Sequence, residues 1–407
     1  MEPGAWRTPT TRCCIVGGGP AGMMLGLLLA RAGVSVMVLE KHGDFLRDFR
    51  GDTIHPSTLD LLAELGMVEA FLARPHDEAQ RISAHFGDET YPVADFSHLP
   101  TRCKFVAFAP QWEFLNFLAE QAARFPTFDL RMNAEAVDLQ EKDGRIVGVR
   151  VAGAGCLDSV RADLVVACDG RHSILRGKAG FAPQDLGAPM DVLWFRLPRR
   201  TGDPEEPFGC FRPGRMMVLI ARGEYWQCGF VVKKGTFDAL KERGLAAFRD
   251  AIAEVAPLVA DRLDAIRAFD DVKLLTVAVD RLPRWSRPGF LAIGDAAHAM
   301  SPIGGVGINL AIQDAVAAAN ILAGPLQRGA ADQALAKVQR RRDWPTKLTQ
   351  AAQVFAQNRL IGAVLAGGSF EPPLPLRLLK MFPLLQRVPA RLIGIGVRPE
   401  HVRGPRL

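Results

Sequence analysis

The chain has 407 residues, 48% of them hydrophobic and 23% charged, and a formal net charge of +6. That length is comfortable for two domains, and the balance is ordinary globular material, which excludes a disordered or fibrous chain. With no uninterrupted run of about 18 apolar residues and no hydrophobic stretch at the N-terminus, neither a membrane span nor a secretory signal is expected, and a cytoplasmic location is.

The first predicted strand, Cys13-Cys14-Ile15-Val16, runs into Gly17-x-Gly19-Pro20-Ala21-Gly22. Gly17 permits a tight turn, Gly19 lets backbone N–H groups approach phosphate oxygens, and Gly22 lets the next helix pack closely on the strand. That helix, predicted over 21–32, points its positive end at a pyrophosphate. A buried strand follows over 34–39 and ends in Glu40, placed to accept hydrogen bonds from an adenosine ribose, with Lys41 beside it. Strand before, helix after and an acid closing the second strand make a strong dinucleotide signal, where the glycines alone would be weak.

Residues 57–71 read as an amphipathic helix with Leu59, Leu62, Leu65 and Val68 on one face. Short strands are expected between 81 and 108, a helix over 111–125, and strands over 147–151 and 162–167. The last of these ends in Cys168-Asp169-Gly170-Arg171-His172-Ser173. From 185 to 235 the pattern changes to proline-broken antiparallel strands, followed by helices near 236–254 and 257–266. From 273 to 280 the chain is expected to turn back toward Phe290-Leu291-Ala292-Ile293, a short strand ending in Gly294-Asp295. A second glycine turn, Gly304-Gly305-Val306-Gly307, then opens a long apolar helix. One nucleotide fold closed by two distant segments suggests a cofactor bound lengthwise, with FAD as first candidate.

Seven scattered cysteines without a Cys-x-x-Cys pair suggest neither a disulfide frame nor a metal site. The net charge belongs to residues 372–407, which hold seven basic residues and one acid; the remainder is neutral, so no nucleic-acid face is expected. Leucines interleave with those charges. A basic amphipathic tail can lie on an anionic membrane, but Pro372, Pro373, Pro375, Pro383 and Pro389 interrupt any long helix, and packing against the body, beside the substrate entrance, is the favoured expectation.

Taken together, Gly17-x-Gly19-x-x-Gly22, Asp169-Gly170 with Ser173 and Arg176, and Gly294-Asp295 with Pro302-x-x-Gly305-x-Gly307-x-Asn309 resemble the three-motif signature of the para-hydroxybenzoate hydroxylase family of single-component flavoprotein monooxygenases. The resemblance covers roughly residues 10–340 and is specific for the family, not for the substrate. It implies an α/β, Rossmann-like FAD-binding domain of the GR2 type, an inserted antiparallel β-sheet substrate domain and a helical C-terminal tail. The expected division is residues 1–180 and 273–340 for the FAD-binding domain, 181–272 for the inserted sheet and 341–407 for the helical tail.

The resemblance implies further that NAD(P)H and O2 serve to hydroxylate or epoxidise an apolar, aromatic small molecule through a flavin hydroperoxide. Asp295 would hold the ribityl hydroxyls, Arg50 would offset pyrophosphate charge, and Gln111 would touch FAD. Asp169 and Gly170 would serve both FAD and NAD(P)H, and the turn Pro302, Gly305, Gly307, Ile308, Asn309 would aim a helix N-terminus at the pyrimidine edge of the flavin. Asp52 and His55 are the candidate acid–base groups, and His298 is read as part of the FAD turn. Pocket-wall candidates are Trp194, Phe195, Phe211, Met216, Val218, Ile220, Trp226 and Phe230. The alternatives are a flavin-dependent reductase or other oxidoreductase on the same scaffold, or a non-catalytic FAD-binding protein.

Overall fold

The structure is a computed structural model that describes residues 9–46, 53–154, 157–365, 367 and 371–403. Its first sheet is built on five parallel strands in the order Phe290–Ala292, Leu157–Ala167, Thr10–Val16, Val36–Leu39, Phe128–Arg131. Residues 13–16, 36–39, 164–167 and 290–292 are apolar on both faces and buried, as the covered centre of a parallel sheet requires, and Phe128–Arg131 is a partly exposed edge. An antiparallel pair, Glu135–Lys142 and Arg145–Ala154, branches from Leu157–Ala167. The helices Pro20–Arg31 and Gly307–Gln327 pack together over this sheet, and their apolar residues join its strands in one buried cluster. Gly307–Gln327, with the turn before it, is long and apolar enough to cross a membrane, but it is a core helix, mostly buried inside the protein.

The second sheet has seven strands, in the order Lys273–Leu275, Met190–Pro198, Tyr225–Lys233, Arg215–Arg222, Phe208–Arg212, Arg81–Phe86, Glu89–Asp95. It is antiparallel except where Phe208–Arg212 meets Arg81–Phe86. That strand pair comes from the earlier half of the chain by a long crossover, so hairpin geometry does not apply there. Residues 273–275, expected to start the return to the first sheet, form instead an edge strand on Met190–Pro198, and the chain departs only afterwards.

Strict alternation gives the second sheet two faces. Leu193, Phe195, Leu197, Met217, Leu219, Trp226, Cys228 and Phe230 pack against the helix Gly244–Val255. Trp194, Met216 and Ile220 point the other way, toward the FAD-type half. Half of the expected pocket wall is thereby corrected: Phe195, Trp226 and Phe230 are core beneath the helix, and Phe211 stacks on Phe86 at 4.5 Å near the sheet's far edge. A strand pattern tells that residues alternate, not which set faces which neighbour.

The expected helix over 57–71 is two helices, Pro56–Glu64 and Val68–Leu72, parted by Gly66 at a φ of 71°, a left-handed conformation that ends a helix. After the long helix Asp332–Ala356, the tail forms Leu374–Met381 and Arg387–Gly394, both lying on the strand Glu89–Asp95. The prolines keep these helices short, as expected, but much of their apolar surface faces solvent.

Candidate active site

The glycine loop does what its spacing demands. Gly17 has a φ of 105°, and a Cβ there would sit 2.4 Å from the Cys168 carbonyl oxygen, so only glycine lets the turn pass the neighbouring strand. A Cβ on Gly22 would lie 2.0 Å from the Gly17 carbonyl oxygen. Gly19 is different: a Cβ there would meet nothing within 4 Å, so its openness is room for a ligand and not a packing need. It caps the helix Pro20–Arg31 with no side-chain hydrogen bond and no acid in the first turn, leaving the N–H groups and positive end for an anion.

Around that cradle the structure sets three carboxylates. Glu40, closing the second strand, accepts from the Gly18 N–H at 2.9 Å and the His42 N–H at 3.1 Å, which fixes its carboxylate against the loop. Lys41 next to it is exposed. Asp169 has a buried Oδ1 with no hydrogen-bond partner among the described residues, and burial lifts its carboxyl above the usual range despite the bonds from Ser173 and nearby backbone. A buried acceptor left open beside a glycine loop calls for a donor from a ligand. Asp295 is about one-third exposed and, among the described residues, has one neighbour of opposite charge, Arg171 at 3.8 Å, so its oxygens are available to hydroxyl donors.

The turn that carries Asp295 is held from behind by groups that sequence reasoning passed over. Asp314 accepts from the Gly294 N–H at 3.1 Å and from His298 Nε2 at 2.6 Å, while its other oxygen accepts from Arg342 Nε at 3.0 Å. Arg342 in turn meets Glu400 at 3.3 Å, and Glu400 also holds Arg341 at 2.6 Å. All but Arg341 are nearly fully buried. Gln350, Gln353 and Gln357, on one face of a helix and the turn that continues it, donate to backbone carbonyls of Asp280, Ala299, Ser301, Ile303 and Gly187. Gln353 alone grips both sides of Pro302, with Nε2 2.9 Å from the Ser301 oxygen and 2.8 Å from that of Ile303. The signal was there as three glutamines at i, i+3 and i+7, a helical spacing for one face.

The turn from Pro302 to Gly307 delivers the N-terminus of the long helix. Gly305 has a φ of 63°, and a Cβ there would lie 2.5 Å from Thr53 Oγ1, which donates to the Gly305 carbonyl at 2.9 Å. Asn309 is committed: its Oδ1 accepts from the His55 N–H and Thr58 Oγ1, and its Nδ2 donates to Thr53. Only the backbone N–H groups near Gly307, Ile308 and Asn309 remain to meet a ligand at that end, with no side-chain cap among the described residues. Gln111 is the first residue of the helix Gln111–Ala122, half-buried.

His55 departs from the expected acid–base role. It is 1% exposed, and its Nδ1 lies 2.7 Å from the Ile393 carbonyl oxygen in the tail, so that nitrogen carries the proton and donates it. Burial pushes the ring down to about 4, the Ile393 bond opposing only in part. A neutral ring spent on a carbonyl anchors the tail. Arg50 and Asp52 lie outside the described residues.

The second sheet's other face, away from Gly244–Val255, borders the turn before the helix. Ile303 of the turn packs in one apolar cluster with Trp194 and Met216. Gly229 leaves the space that the Trp194 indole fills: a Cβ would sit 3.0 Å from the ring. Arg222 is buried, with Nε 3.3 Å from Gln227 Oε1 and its guanidinium 5.5 Å from the Phe108 ring centre.

The glycine cradle, the open Asp169 oxygen and the uncapped start of Gly307–Gln327 have the features a dinucleotide cofactor requires, and residues 10–352 match the family described as "FAD binding domain". The chain belongs to that family, its cofactor is FAD, and it is an NAD(P)H-dependent flavoprotein monooxygenase. It is 34% identical over 403 residues to a 6-methylpretetramide 4-monooxygenase of Streptomyces rimosus, covering 97% of this chain and 94% of that one. A rifampicin monooxygenase of Streptomyces venezuelae is 29% identical over 74% of this chain, which spans 61% of that protein's length. The crystal structure of p-nitrophenol 4-monooxygenase from Pseudomonas putida shares the fold, with a TM-score of 0.77 at 20% identity over 95% of this chain and 97% of that one.

Proposed function

We propose that the chain hydroxylates a flat, polycyclic phenolic molecule of the aromatic polyketide type. The observation that carries this reading is that Ile303, which leads into the helix N-terminus, and Trp194 and Met216 of the second sheet all border one apolar cluster without being fully buried in it. A planar ring system between these walls would contact apolar surface on one side and the cofactor on the other. Similarity along nearly the whole chain to the 6-methylpretetramide 4-monooxygenase supports the same substrate class.

FAD, reduced by NAD(P)H, supplies the activation of O2. This chain's residues supply placement. Gly17, Gly19, Pro20, Ala21 and Gly22 offer backbone N–H groups and a helix dipole to the pyrophosphate. Glu40 and Asp295 accept from the ribose and ribityl hydroxyls, and Asp169 offers its open oxygen. The N–H groups at the start of Gly307–Gln327 offset negative charge on the bound ring. Asp52, which lies outside the described residues, takes the substrate's phenolic proton in this reading. In this reading the FAD-binding part is residues 1–180, less the strands Arg81–Phe86 and Glu89–Asp95 of the second sheet, and 273–340, less that sheet's edge strand Lys273–Leu275; a cytoplasmic location, where NAD(P)H is made, suits the reaction.

The test is a panel of polycyclic phenols with purified yellow enzyme, following NAD(P)H loss and product mass. Stimulated oxidation with one oxygen atom gained in the product supports the reading. Full flavin occupancy with no stimulation by any polycyclic phenol overturns the substrate class. Stimulated NAD(P)H loss without oxygenated product overturns hydroxylation in favour of a reductase.

A further inference from the structure

The tail carries a surface that the catalytic reading does not use. On Leu374–Met381 and the residue after it, Leu374, Leu378, Met381 and Phe382 follow the i, i+4, i+7, i+8 spacing of a single helical stripe. Their exposures are 67%, 37%, 68% and 53%. On Arg387–Gly394, Val388 and Leu392 are 58% and 52% exposed. Isolated exposed leucines are commonplace; a stripe of them along consecutive helices marks an interaction surface.

The inner sides of these helices are occupied. Leu376 packs beside Phe86 and Tyr91, and Lys380 pairs with Glu89 at 2.9 Å. Ala390 is fully buried, and a Cβ on Gly394 would meet Leu99 at 2.7 Å. Both helices rest on the strand Glu89–Asp95, and their exposed apolar side chains are the ones this packing leaves uncovered.

Charge decides what covers it. Arg377 and Lys380 are paired with Glu371 and Glu89. Arg387 and Arg391 flank Val388 and Leu392 and have no carboxylate within ion-pair distance among the described residues. A second copy joined through a two-fold axis would set this basic, carboxylate-poor surface against itself. An anionic lipid surface takes apolar side chains to a depth of about 5–10 Å and binds arginine heads at the phosphates. We infer that this outer face lies on an anionic membrane surface, as a peripheral attachment.

The attachment has a link to the site. The helix that bears Arg387 and Arg391 gives its Ile393 carbonyl to His55 and seats Gly394 against Phe96 and Leu99, in the cluster that also holds Ile220 of the sheet's free face. A planar apolar substrate dissolved in lipid would then meet the enzyme on the side where this face lies.

The test uses the full-length holoenzyme and vesicles of phosphatidylcholine, alone or with phosphatidylglycerol. Co-sedimentation is expected with the anionic vesicles only, weakening about ten-fold or more as salt rises from about 50 to about 500 mM. Each arginine near such a surface is worth roughly a five-fold change in affinity, so Arg387→Gln with Arg391→Gln should weaken binding about 25-fold with FAD content unchanged. Leu378→Glu with Phe382→Glu should abolish it. No sedimentation with either vesicle overturns the inference. So does equal, salt-insensitive binding to neutral vesicles. A dimer in solution that the Leu378→Glu, Phe382→Glu variant converts to monomer would assign the surface to a second copy instead.

Discussion

Asp314 is the group whose loss should reach furthest. Two carboxylate oxygens receive three donors: the Gly294 N–H, His298 Nε2 and Arg342 Nε. Replacing it with asparagine keeps the volume but turns one acceptor into a donor, so at least one of the three would face an N–H. It also leaves the Arg342 guanidinium, 2% exposed, with Glu400 as its remaining charge partner, already shared with Arg341. Removing one member of a buried pair costs about 3–5 kcal/mol, and the Glu400 contact puts the expected loss at the lower end, about 3 kcal/mol out of a typical 5–15. The released Gly294 N–H loosens the turn that carries Asp295, and FAD affinity should drop about ten-fold or more, equal to about 1.4 kcal/mol. Urea unfolding of the flavin-free protein reads the first effect, and titration with FAD reads the second. Burial raises the Asp314 carboxyl, but the attraction of His298 and Arg342 outweighs it and holds the group below its usual range. Its stabilisation is therefore full above the ordinary carboxylate pKa and is lost as pH falls through the lowered value; the asparagine variant should lack that acid limb. An Asp314→Asn protein within about 1 kcal/mol of the parent would refute the argument that this carboxylate organises the turn.

Gly19→Ala and Gly22→Ala separate ligand space from packing space. The first adds a methyl to open room and should leave the apoprotein's stability within about 0.5 kcal/mol while weakening FAD by about ten-fold. The second drives a Cβ to 2.0 Å from the Gly17 oxygen and should cost about 3 kcal/mol or more by urea unfolding. Asp295→Asn removes a partly exposed pair at 3.8 Å, worth about 0–1 kcal/mol, so the protein should stay folded but purify with little flavin, judged by absorbance. His55 has a folded pKa of about 4 against an ordinary 6.5, so the unfolded chain takes up its proton first as the solution is acidified. Stability should fall by about 3 kcal/mol from above pH 6.5 to below pH 4 on this account. His55→Gln should flatten that slope, and an unchanged slope would place the titration elsewhere.

How much of the site could be read in advance depends on the kind of constraint each residue answers to. The glycine loop and the two strand ends were legible because the close approaches they make are local: Gly22 meets Gly17 five residues away, and the acid follows the second strand directly. The second sheet was legible as alternation, yet Trp194 and Phe195 are neighbours with opposite fates, and only the helix Gly244–Val255 covering one face sorts them. His55 was misread because its partner, the Ile393 carbonyl, lies 338 residues away and has no side-chain signature at all. Asp314, Arg342 and Glu400 were passed over for the same reason: each alone is an unremarkable charge on a helix or in a tail.

Their common feature points to a division of labour. The backbone of the cradle, set by glycines, is the part that faces the ligand, and it is encoded in short motifs. The side chains that hold the cradle rigid sit behind it and reach across the chain: Arg342 to Asp314, Glu400 to both neighbouring arginines, Gln353 around Pro302, Asn309 to Thr53 and Thr58. Rigid placement of donors is what makes electrostatic stabilisation of a bound ring effective, because no reorganisation is then needed during the reaction. The tail belongs to this second group. Glu400 accepts from Arg341 and Arg342 and gives its N–H to Gln313, the His401 carbonyl accepts from Asn320, and the Ile393 carbonyl accepts from His55 Nδ1, so the tail is fastened to the helix Gly307–Gln327 at Gln313 and Asn320 and to the start of Pro56–Glu64 at His55.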